Sequence, residues 1–299
     1  MKTVTNKLVM SVLALVLTGA ALSVGVFAWF TINNQATIES FNGTVQTGEG
    51  FYVSLDGTNW VNTLTSAQMQ TAAGTVTFVP LTSEDGVELF ALGAAEAAAA
   101  GFIEFDLLFA GSANLNKIVI DSLTLSGTAT TWIPGVDVEG TRSEGLPNST
   151  ITEYVSNAAR VSFQDMITPA TSTIFEQSSG TDGNSIGFGT YATNEAILFY
   201  NAIMDTALVE SEFTDALANT AAAEVAGNGI SVEVATLNPN GTPVSGYTLN
   251  TSDLTAIGGN AAKVGAVTVR VWVEGWDQEA LNAILSGVLT VNFNFTAIA

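Results

Sequence analysis

The side chains that most often perform catalysis are either missing from this 299-residue chain or lack partners. The chain contains no histidine and no cysteine, which excludes Ser–His–Asp triads, thiol nucleophiles, disulfides and the usual zinc sites. Serine and threonine are abundant, but without histidine a serine nucleophile would need a lysine as its base. Beyond residue 30 the only lysines are Lys117 and Lys263, both predicted at strand ends. We therefore predict that the chain is not an enzyme and carries no catalytic cofactor.

Acidic side chains are the remaining candidates for chemistry, and among 28 of them some close pairs arise by chance. The pair Glu84–Asp85 falls in a predicted turn, where solvated charge is a simpler interpretation than sugar hydrolysis by two carboxylates. Calcium is the one metal to consider, because Asp137 and Glu139 place oxygen atoms at alternate positions of a predicted loop that also holds Glu144. The loop does not match the EF-hand pattern. A calcium site is therefore a minor alternative to an unliganded loop.

The charge balance excludes two classes of partner. The chain has 28 acidic and 7 basic residues, for a net charge of −21 at pH 7. Such a surface repels the phosphates of nucleic acids and anionic lipid head groups. Charged residues make up only 12% of the chain, so Thr, Ser, Asn, Gln and Gly must cover much of the surface. This composition is more typical of secreted, all-β and self-assembling proteins than of cytosolic enzymes.

The N-terminus has the pattern of an export signal. Lys2 and Lys7 precede an uncharged apolar run over residues 8–30, as in a signal for the Sec pathway. Ala28 offers a small residue before a signal-peptidase cut, so we predict cleavage between Ala28 and Trp29 and an extracellular or cell-surface protein. The run is also long enough to span a bilayer as a helix. The alternative is thus a retained membrane anchor, and contact with a membrane is predicted only through residues 8–30.

Alternation of apolar and polar residues dominates the rest of the chain and predicts strands with one buried face. It occurs at residues 51–55, 103–109, 230–234, 267–273 and 289–295. Turn sequences rich in Gly, Asn, Asp and Pro separate the alternating segments at residues 55–59, 83–86 and 238–243. We predict an all-β fold: a jelly-roll or β-sandwich single domain over residues 29–299, preceded by the apolar signal or anchor helix of residues 1–28.

Helices are predicted as insertions in this β domain. Residues 193–226 are rich in Ala, Glu and Leu and carry an apolar stripe at helical spacing. Asp277 is a candidate N-cap for a short helix over residues 278–286. Residues 142–190 are rich in Ser, Thr, Gly and Asn and predict a long excursion over the surface.

Two tryptophans near the C-terminus permit two interpretations. Trp272 lies on the polar face of its predicted strand, and Trp276 follows shortly after it. An exposed pair of indole rings is typical of a sugar-binding surface. The alternative is that the rings pack beneath a loop or at a subunit contact, and this second interpretation is favoured.

Two parts of the chain, residues 1–55 and 100–128, resemble a known family. Ala28, Trp29 and Phe30 at the end of the apolar run, followed by a polar segment and Gly50-Phe51-Tyr52-Val53, are similar to the TasA/camelysin-like exported proteins with SipW-type signal sequences. The segment FIEFDLLFAGSANLNKIVIDSLTLSG at residues 102–127 resembles the paired strands that follow in that family. The peptidase activity attributed to camelysin relatives is not implied, because histidine and a recognisable zinc ligand set are absent.

The resemblance implies a jelly roll that polymerises into extracellular fibres, in which the N-terminal strand of one subunit completes a sheet of the next. In this chain the donated strand would include Thr31 and Phe41, with Ala36 and Ile38 as the side chains that fill pockets. The first hypothesis is therefore a structural subunit of a filament or biofilm matrix whose partner is another copy of itself. The alternatives are a membrane-anchored surface or virion-like jelly-roll shell protein, and a secreted carbohydrate-binding domain.

Overall fold

The computed structural model describes residues 36–37, 45–46, 51–91, 94, 96–133, 150–169, 172–176, 224–250, 263–275 and 288–299. All of these belong to one compact unit, which spans Gln35–Ala299. Several predicted features lie outside the described residues: the signal or anchor with its cleavage site at Ala28 and Trp29, the strand residues Thr31, Ile38 and Phe41, the calcium candidates Asp137, Glu139 and Glu144, Trp276, and the helix at 278–286.

Strands make up most of the described chain. They are β1 (Ala36–Thr37), β2 (Val45–Gln46), β3 (Phe51–Ser54), β4 (Thr63–Leu64), β5 (Thr77–Phe78), β6 (Pro80–Thr82), β7 (Phe90–Ala91), β8 (Ile103–Gly111), β9 (Lys117–Gly127), β10 (Ala129–Trp132), β11 (Ile151–Tyr154), β12 (Ala159–Asp165), β13 (Ser172–Glu176), β14 (Glu224–Val225), β15 (Gly227–Thr236), β16 (Asn238–Pro239), β17 (Lys263–Glu274) and β18 (Leu289–Ile298). One α-helix, α1 (Ser66–Ala73), and a 3-10 turn (Val155–Asn157) complete the described elements.

The larger sheet is built around β17, the longest strand. β12 and β8 pair antiparallel with its two sides. Beyond β12 lie β13 and then the short parallel strand β14, and beyond β8 lies β3. On the same side of β17 as β8, β6 pairs in parallel with the last two residues of β17. β7 then pairs with β6. The lateral order through the centre is therefore β14-β13-β12-β17-β8-β3.

The smaller sheet has the order β15-β9-β18 and is antiparallel. Its apolar residues face those of the larger sheet and form one continuous core. This core includes Phe105, Leu107 and Phe109 of β8, Val267, Val269, Val271 and Val273 of β17, Ile118, Ile120, Leu123 and Leu125 of β9, and Leu289, Val291, Phe293 and Phe295 of β18. The predicted strand segments are thus confirmed, in a sandwich-like pair of sheets.

The outer face of the larger sheet, which points away from the core, is covered at Trp272 rather than exposed to water, as the favoured interpretation of this residue predicted. The indole is fully buried and packs with Leu81, Leu89 and Ile174. Its Nε1 donates a hydrogen bond to Glu274 Oε2 at 3.2 Å. The position on the polar face was predicted correctly, but the segments that cover that face come from distant parts of the chain. Burial therefore rules out Trp272 as part of an exposed sugar-binding pair.

The prediction for residues 142–190 is corrected, and the helical insertion predicted at about 193–226 is described only at its end. Residues 142–190 were predicted as a surface excursion, yet within them β12 is a buried strand at the centre of the larger sheet. Its short alternation, with Val161 and Phe163 pointing into the core, is hidden in a polar stretch. The predicted helical insertion at 193–226 has its last residues in β14, whose pairing with β13 replaces helix there. Residues 193–223 lie outside the described chain.

Two turns of the same sequence type, Ser-x-Asp-Gly, fold over the outer face. In the second turn, the Gly86 N–H donates to Ser83 Oγ at 2.8 Å, and Asp85 Oδ1 accepts from the amides of Val87 and Glu88. Gly86 has φ +73°, a left-handed conformation that favours glycine. A Cβ added there would lie 2.7 Å from Ser162 Cβ. The turn and β12 are therefore packed too closely for any side chain.

Replacing Gly86 with alanine should destabilise the fold more than the same change at Gly246. Both glycines have positive φ, but a Cβ at Gly246 meets nothing within 4 Å. Each alanine carries the left-handed penalty of about 1–2 kcal/mol, and only the one at position 86 adds an overpacking cost of about 1–3 kcal/mol. Urea denaturation followed by circular dichroism measures both. Equal losses at the two positions would contradict the close contact with β12.

Candidate functional site

The described residues contain no group of side chains arranged for catalysis. Lys117 forms an ion pair with Glu233, and Lys263 Nζ donates to Asn116 Oδ1, so both lysines face polar partners rather than a serine nucleophile. Both do begin strands, as predicted. Within the described ranges, no group of three acidic residues is placed to hold a metal ion. The sequence-predicted calcium loop lies elsewhere in the chain.

The isolated carboxylates act as structural hydrogen-bond acceptors. Burial opposes ionisation of Asp56, but the Asn59 and Thr58 amides and side chains donate to it and lower its pKa. Asp106 Oδ2 accepts from the Tyr247 hydroxyl at 3.0 Å. Burial, together with this hydrogen bond and the charge of Asp106, raises the pKa of Tyr247 to about 12. These groups hold loops on the outer face of the larger sheet.

Sheet edges are the remaining candidate sites, because an edge strand presents unpaired backbone N–H and C=O groups to any other strand. The edge strands of the larger sheet are short: β14 has 2 residues and β3 has 4. Short edge strands give an incoming strand few backbone groups to pair with. The two edges of the smaller sheet, β15 and β18, each have 10 residues and differ in their regularity.

The β15 edge is irregular and partly occupied. Its register with β9 shifts twice, and Ser231, which lies within the first shift, has φ 55°. Near its end, Thr236 N donates to Asp165 Oδ2 at 3.1 Å, while Asp165 Oδ1 accepts from Ile167 N and Thr168 N. An open cavity of about 400 Å³ lies between this part of β15 and the ends of β12 and β13. Bulges and a carboxylate bound to the edge amide protect β15 from pairing.

The β18 edge is regular and uncharged. Leu289–Ile298 contains no charged residue, no proline and no glycine. The one shift in its register with β9 comes from an extra residue in β9, Asp121, so β18 itself runs without a bulge. A long, flat, uncharged edge strand is the kind that associates with other strands. Among the described edges, β18 alone has all of these properties.

The orientation of the β18 backbone follows from its flanking hydrogen bonds. Ile298 O accepts from Asn116 N, and Val288 O accepts from Thr128 N, so even-numbered residues turn their backbone groups toward β9. Successive residues of a strand turn theirs to opposite sides. The odd-numbered residues from Leu289 to Ala297 therefore point their N–H and C=O groups away from β9. β2 lies beside β18, yet among the described residues no ladder pairs the two strands.

The predicted N-terminal strand is described only at β1. Ala36 pairs with Phe78 and Thr37 with Thr77 of β5 in the same chain. This two-pair ladder belongs to neither large sheet. The described part of the N-terminal segment therefore pairs with its own chain, and most of the predicted donor residues lie outside the described chain.

Comparison of the chain with protein-family models, curated proteins and solved structures found no match. A search of the described residues for a helix of the length and hydropathy of a membrane span also found none.

Proposed function

We propose that this protein is a structural subunit of an extracellular filament or surface matrix, such as a biofilm fibre. Its residues 29–299 form a jelly-roll-like domain that is exported, with cleavage between Ala28 and Trp29. The subunits assemble head to tail as a homopolymer when the N-terminal strand of one copy, with Ala36 and Ile38, completes a sheet of the next. A head-to-tail contact that does not close into a ring produces a filament.

The contrast among the sheet edges carries this proposal. In the described chain the edge strands β14, β3 and β15 are short or irregular, whereas β18 is long, regular and uncharged. Soluble monomers usually protect their sheet edges, because an open edge promotes association. A long, regular and uncharged edge therefore suits a protein whose function is association. The low content of charged residues, 12%, also suits an assembling protein.

Removal of the N-terminal segment should abolish filaments without unfolding the domain. The chain that begins at Trp29 is expected to form filaments visible by negative-stain electron microscopy, and a chain that begins at Asn42 should remain monomeric in sedimentation. Because β1 pairs with β5 at Ala36 and Thr37 and belongs to neither large sheet, thermal melting of the shorter chain should stay close to that of the longer one. Mass spectrometry of the secreted protein checks that Trp29 is the mature N-terminus.

A synthetic peptide of residues 29–41 provides a second readout. Added in excess to the chain that begins at Trp29, it should occupy the acceptor edge and shorten the filaments, whereas a scrambled peptide should not. The proposal is wrong if the chain that begins at Trp29 stays monomeric at all concentrations, or if the chain that begins at Asn42 forms the same filaments.

A further inference from the structure

We propose that Asn240 is a modification site, where the side-chain amide is converted to a carboxylate by reaction with the backbone of the same chain and with water. This inference goes beyond the proposed function and does not depend on filament formation. Three features of the chain support it: the turn that holds Asn240, the chemistry of an Asn-Gly pair, and the restraint of the corresponding groups at other Asn-Gly and Asp-Gly pairs.

The reaction begins at the peptide nitrogen that follows the asparagine. The Gly241 nitrogen attacks Cγ of Asn240, a new C–N bond closes a succinimide ring, and the proton of the Gly241 N–H leaves with the amide NH2 as ammonia. Water then opens the ring at either carbonyl and leaves aspartate, or isoaspartate in which the main chain runs through the former side-chain carbon. Glycine favours this step because it has no Cβ beside the attacking nitrogen.

Asn240 and Gly241 are the central residues of an exposed turn. Thr242 closes the turn, because its N–H and its Oγ1 donate to Pro239 O at 3.1 and 2.7 Å. Such a bond leaves the N–H groups of the central residues unused. In the described chain neither the Gly241 N–H nor the Asn240 side chain has a hydrogen-bond partner. Both residues are exposed, and a Cβ at Gly241 would meet nothing within 4 Å. The reacting groups are therefore unrestrained.

The pair Asn228-Gly229 has the same chemistry but a restrained geometry. Both of its residues are also exposed, so access of water does not distinguish the two pairs. Asn228 is paired with Ser122 in the ladder between β15 and β9, and its Oδ1 accepts from Ser122 Oγ at 2.8 Å. The backbone and the side chain of Asn228 must both rotate before the ring closes, which requires local opening of the ladder. Asn228 should therefore react more slowly than Asn240.

The two Ser-x-Asp-Gly turns occupy the attacking nitrogen itself. The Gly57 N–H donates to Ser54 Oγ at 3.0 Å, and the Gly86 N–H donates to Ser83 Oγ at 2.8 Å. The carboxylate of each turn also accepts from two of the amides that follow it. Of the Asn-Gly and Asp-Gly pairs in the described chain, only Asn240-Gly241 therefore has both reacting groups unrestrained.

The turn can accommodate the product. The ladder pairs Asn238–Val264 and Pro239–Lys263 lie before the turn, so a longer backbone at Asn240 does not interrupt them. Each event makes the net charge one unit more negative than −21. Because the ammonia is lost to the solvent, the modified fraction increases with the age of the protein.

Peptide mass spectrometry of the ageing protein tests the inference. The secreted protein is kept at a mildly alkaline pH and digested at intervals, and isoaspartate is labelled with a protein isoaspartyl methyltransferase. Asn240 should yield aspartate and isoaspartate at least tenfold faster than Asn228. In the chain unfolded by urea the two sites should react at similar rates, because the ladder that restrains Asn228 is gone.

Three variants separate the causes, with circular dichroism as the check that each remains folded. Gly241→Ala places a methyl group beside the attacking nitrogen in open space, so it should lower the rate at Asn240 at least tenfold. Asn240→Gln lengthens the side chain without straining the turn and should also suppress the reaction, whereas direct hydrolysis would act on glutamine as well. Ser122→Ala removes the hydrogen bond to Asn228 and should raise the rate there, while Asn240 keeps its rate.

Equal rates at Asn240 and Asn228 in the folded protein would overturn the inference. A product at Asn240 that contains aspartate but no isoaspartate would overturn it too, since direct hydrolysis of the amide gives aspartate alone. Neither result bears on filament formation, which electron microscopy tests separately.

Discussion

Replacement of Arg160 with methionine should lower the free energy of unfolding by about 3–5 kcal/mol, because it leaves a buried carboxylate without its cation. Arg160 and Glu176 are directly opposite each other in β12 and β13. The exposed fractions of their side chains are 2% and 5%, and Arg160 Nη2 lies 2.9 Å from Glu176 Oε2. The adjacent residues Trp272 and Glu274 of β17 are also fully buried. Water therefore cannot replace the guanidinium as a partner for Glu176.

The matched control is Lys117→Met, which removes the cation of an exposed pair. The side chains of Lys117 and Glu233 are 48% and 43% exposed, and water solvates the remaining carboxylate, so a loss of about 0–1 kcal/mol is expected. Urea denaturation at a subunit concentration too low for assembly measures both variants. Similar losses for the two would show that burial of Arg160 does not set the cost.

The double variant Arg160→Met with Glu176→Leu separates the lost charge from the lost packing. A well-packed apolar replacement of a whole buried ion pair is often neutral or stabilising. We therefore expect the double variant to recover most of the stability that Arg160→Met loses. If the double variant has a lower free energy of unfolding than Arg160→Met, the ion pair stabilises the fold through its packing on the outer face rather than through its charge.

The strands of this fold are predictable where their alternation is long. In β17, Val267, Val269, Val271 and Val273 alternate with polar or aromatic residues, and the structure buries all four valines in the core. The alternation of β8 and β18 is equally regular, and both strands were predicted. β12 was not predicted because its few apolar residues lie in a polar stretch. Its position beside β17 depends on pairing with a segment more than 100 residues away.

The segments that cover the outer face of the larger sheet were not predictable either, because they come from distant parts of the chain. A single strand shows which of its residues share a face, but not whether another segment covers that face. Trp272, Arg160 and Glu274 are polar-face residues by alternation, and all three are buried. The helix α1 is a different case, because the capping box of Thr65 and Gln68 is visible in the sequence and was overlooked.

The β18 edge, too, depends on strand pairing that the sequence does not show. The donor strand was expected from the family resemblance, and most of its residues lie outside the described chain. The β18 edge was not predicted, because a sheet edge is defined by the neighbours that a strand lacks. The sequence of β18 alone could equally belong to a central strand. Only the pairing order β15-β9-β18 identifies it as an edge.

Replacement of Phe163 with alanine should cost about 3–5 kcal/mol, because Phe163 joins the two sheets at the centre of the core. Its ring lies 5.7 Å from that of Phe175 in the larger sheet, and 5.8 Å from those of Phe293 and Phe295 in β18. The interplanar angles of 83–85° are those of edge-to-face pairs. Alanine removes all three ring contacts and leaves a cavity that the fixed strands cannot fill.

Phe102→Ala is the matched control for this change. Phe102 is only partly buried and packs at the outer-face cluster of Trp272, so its truncation leaves a space that water can enter and costs less. Urea denaturation should rank Phe163→Ala well below Phe102→Ala in stability, and equal losses would contradict the central position of Phe163. The consequence extends to assembly, because Phe293 and Phe295 belong to β18, the long and uncharged edge strand on which the proposed function rests. If β18 is held in place by its contacts with Phe163, the alanine variant should form fewer filaments even at temperatures where its monomer is still folded.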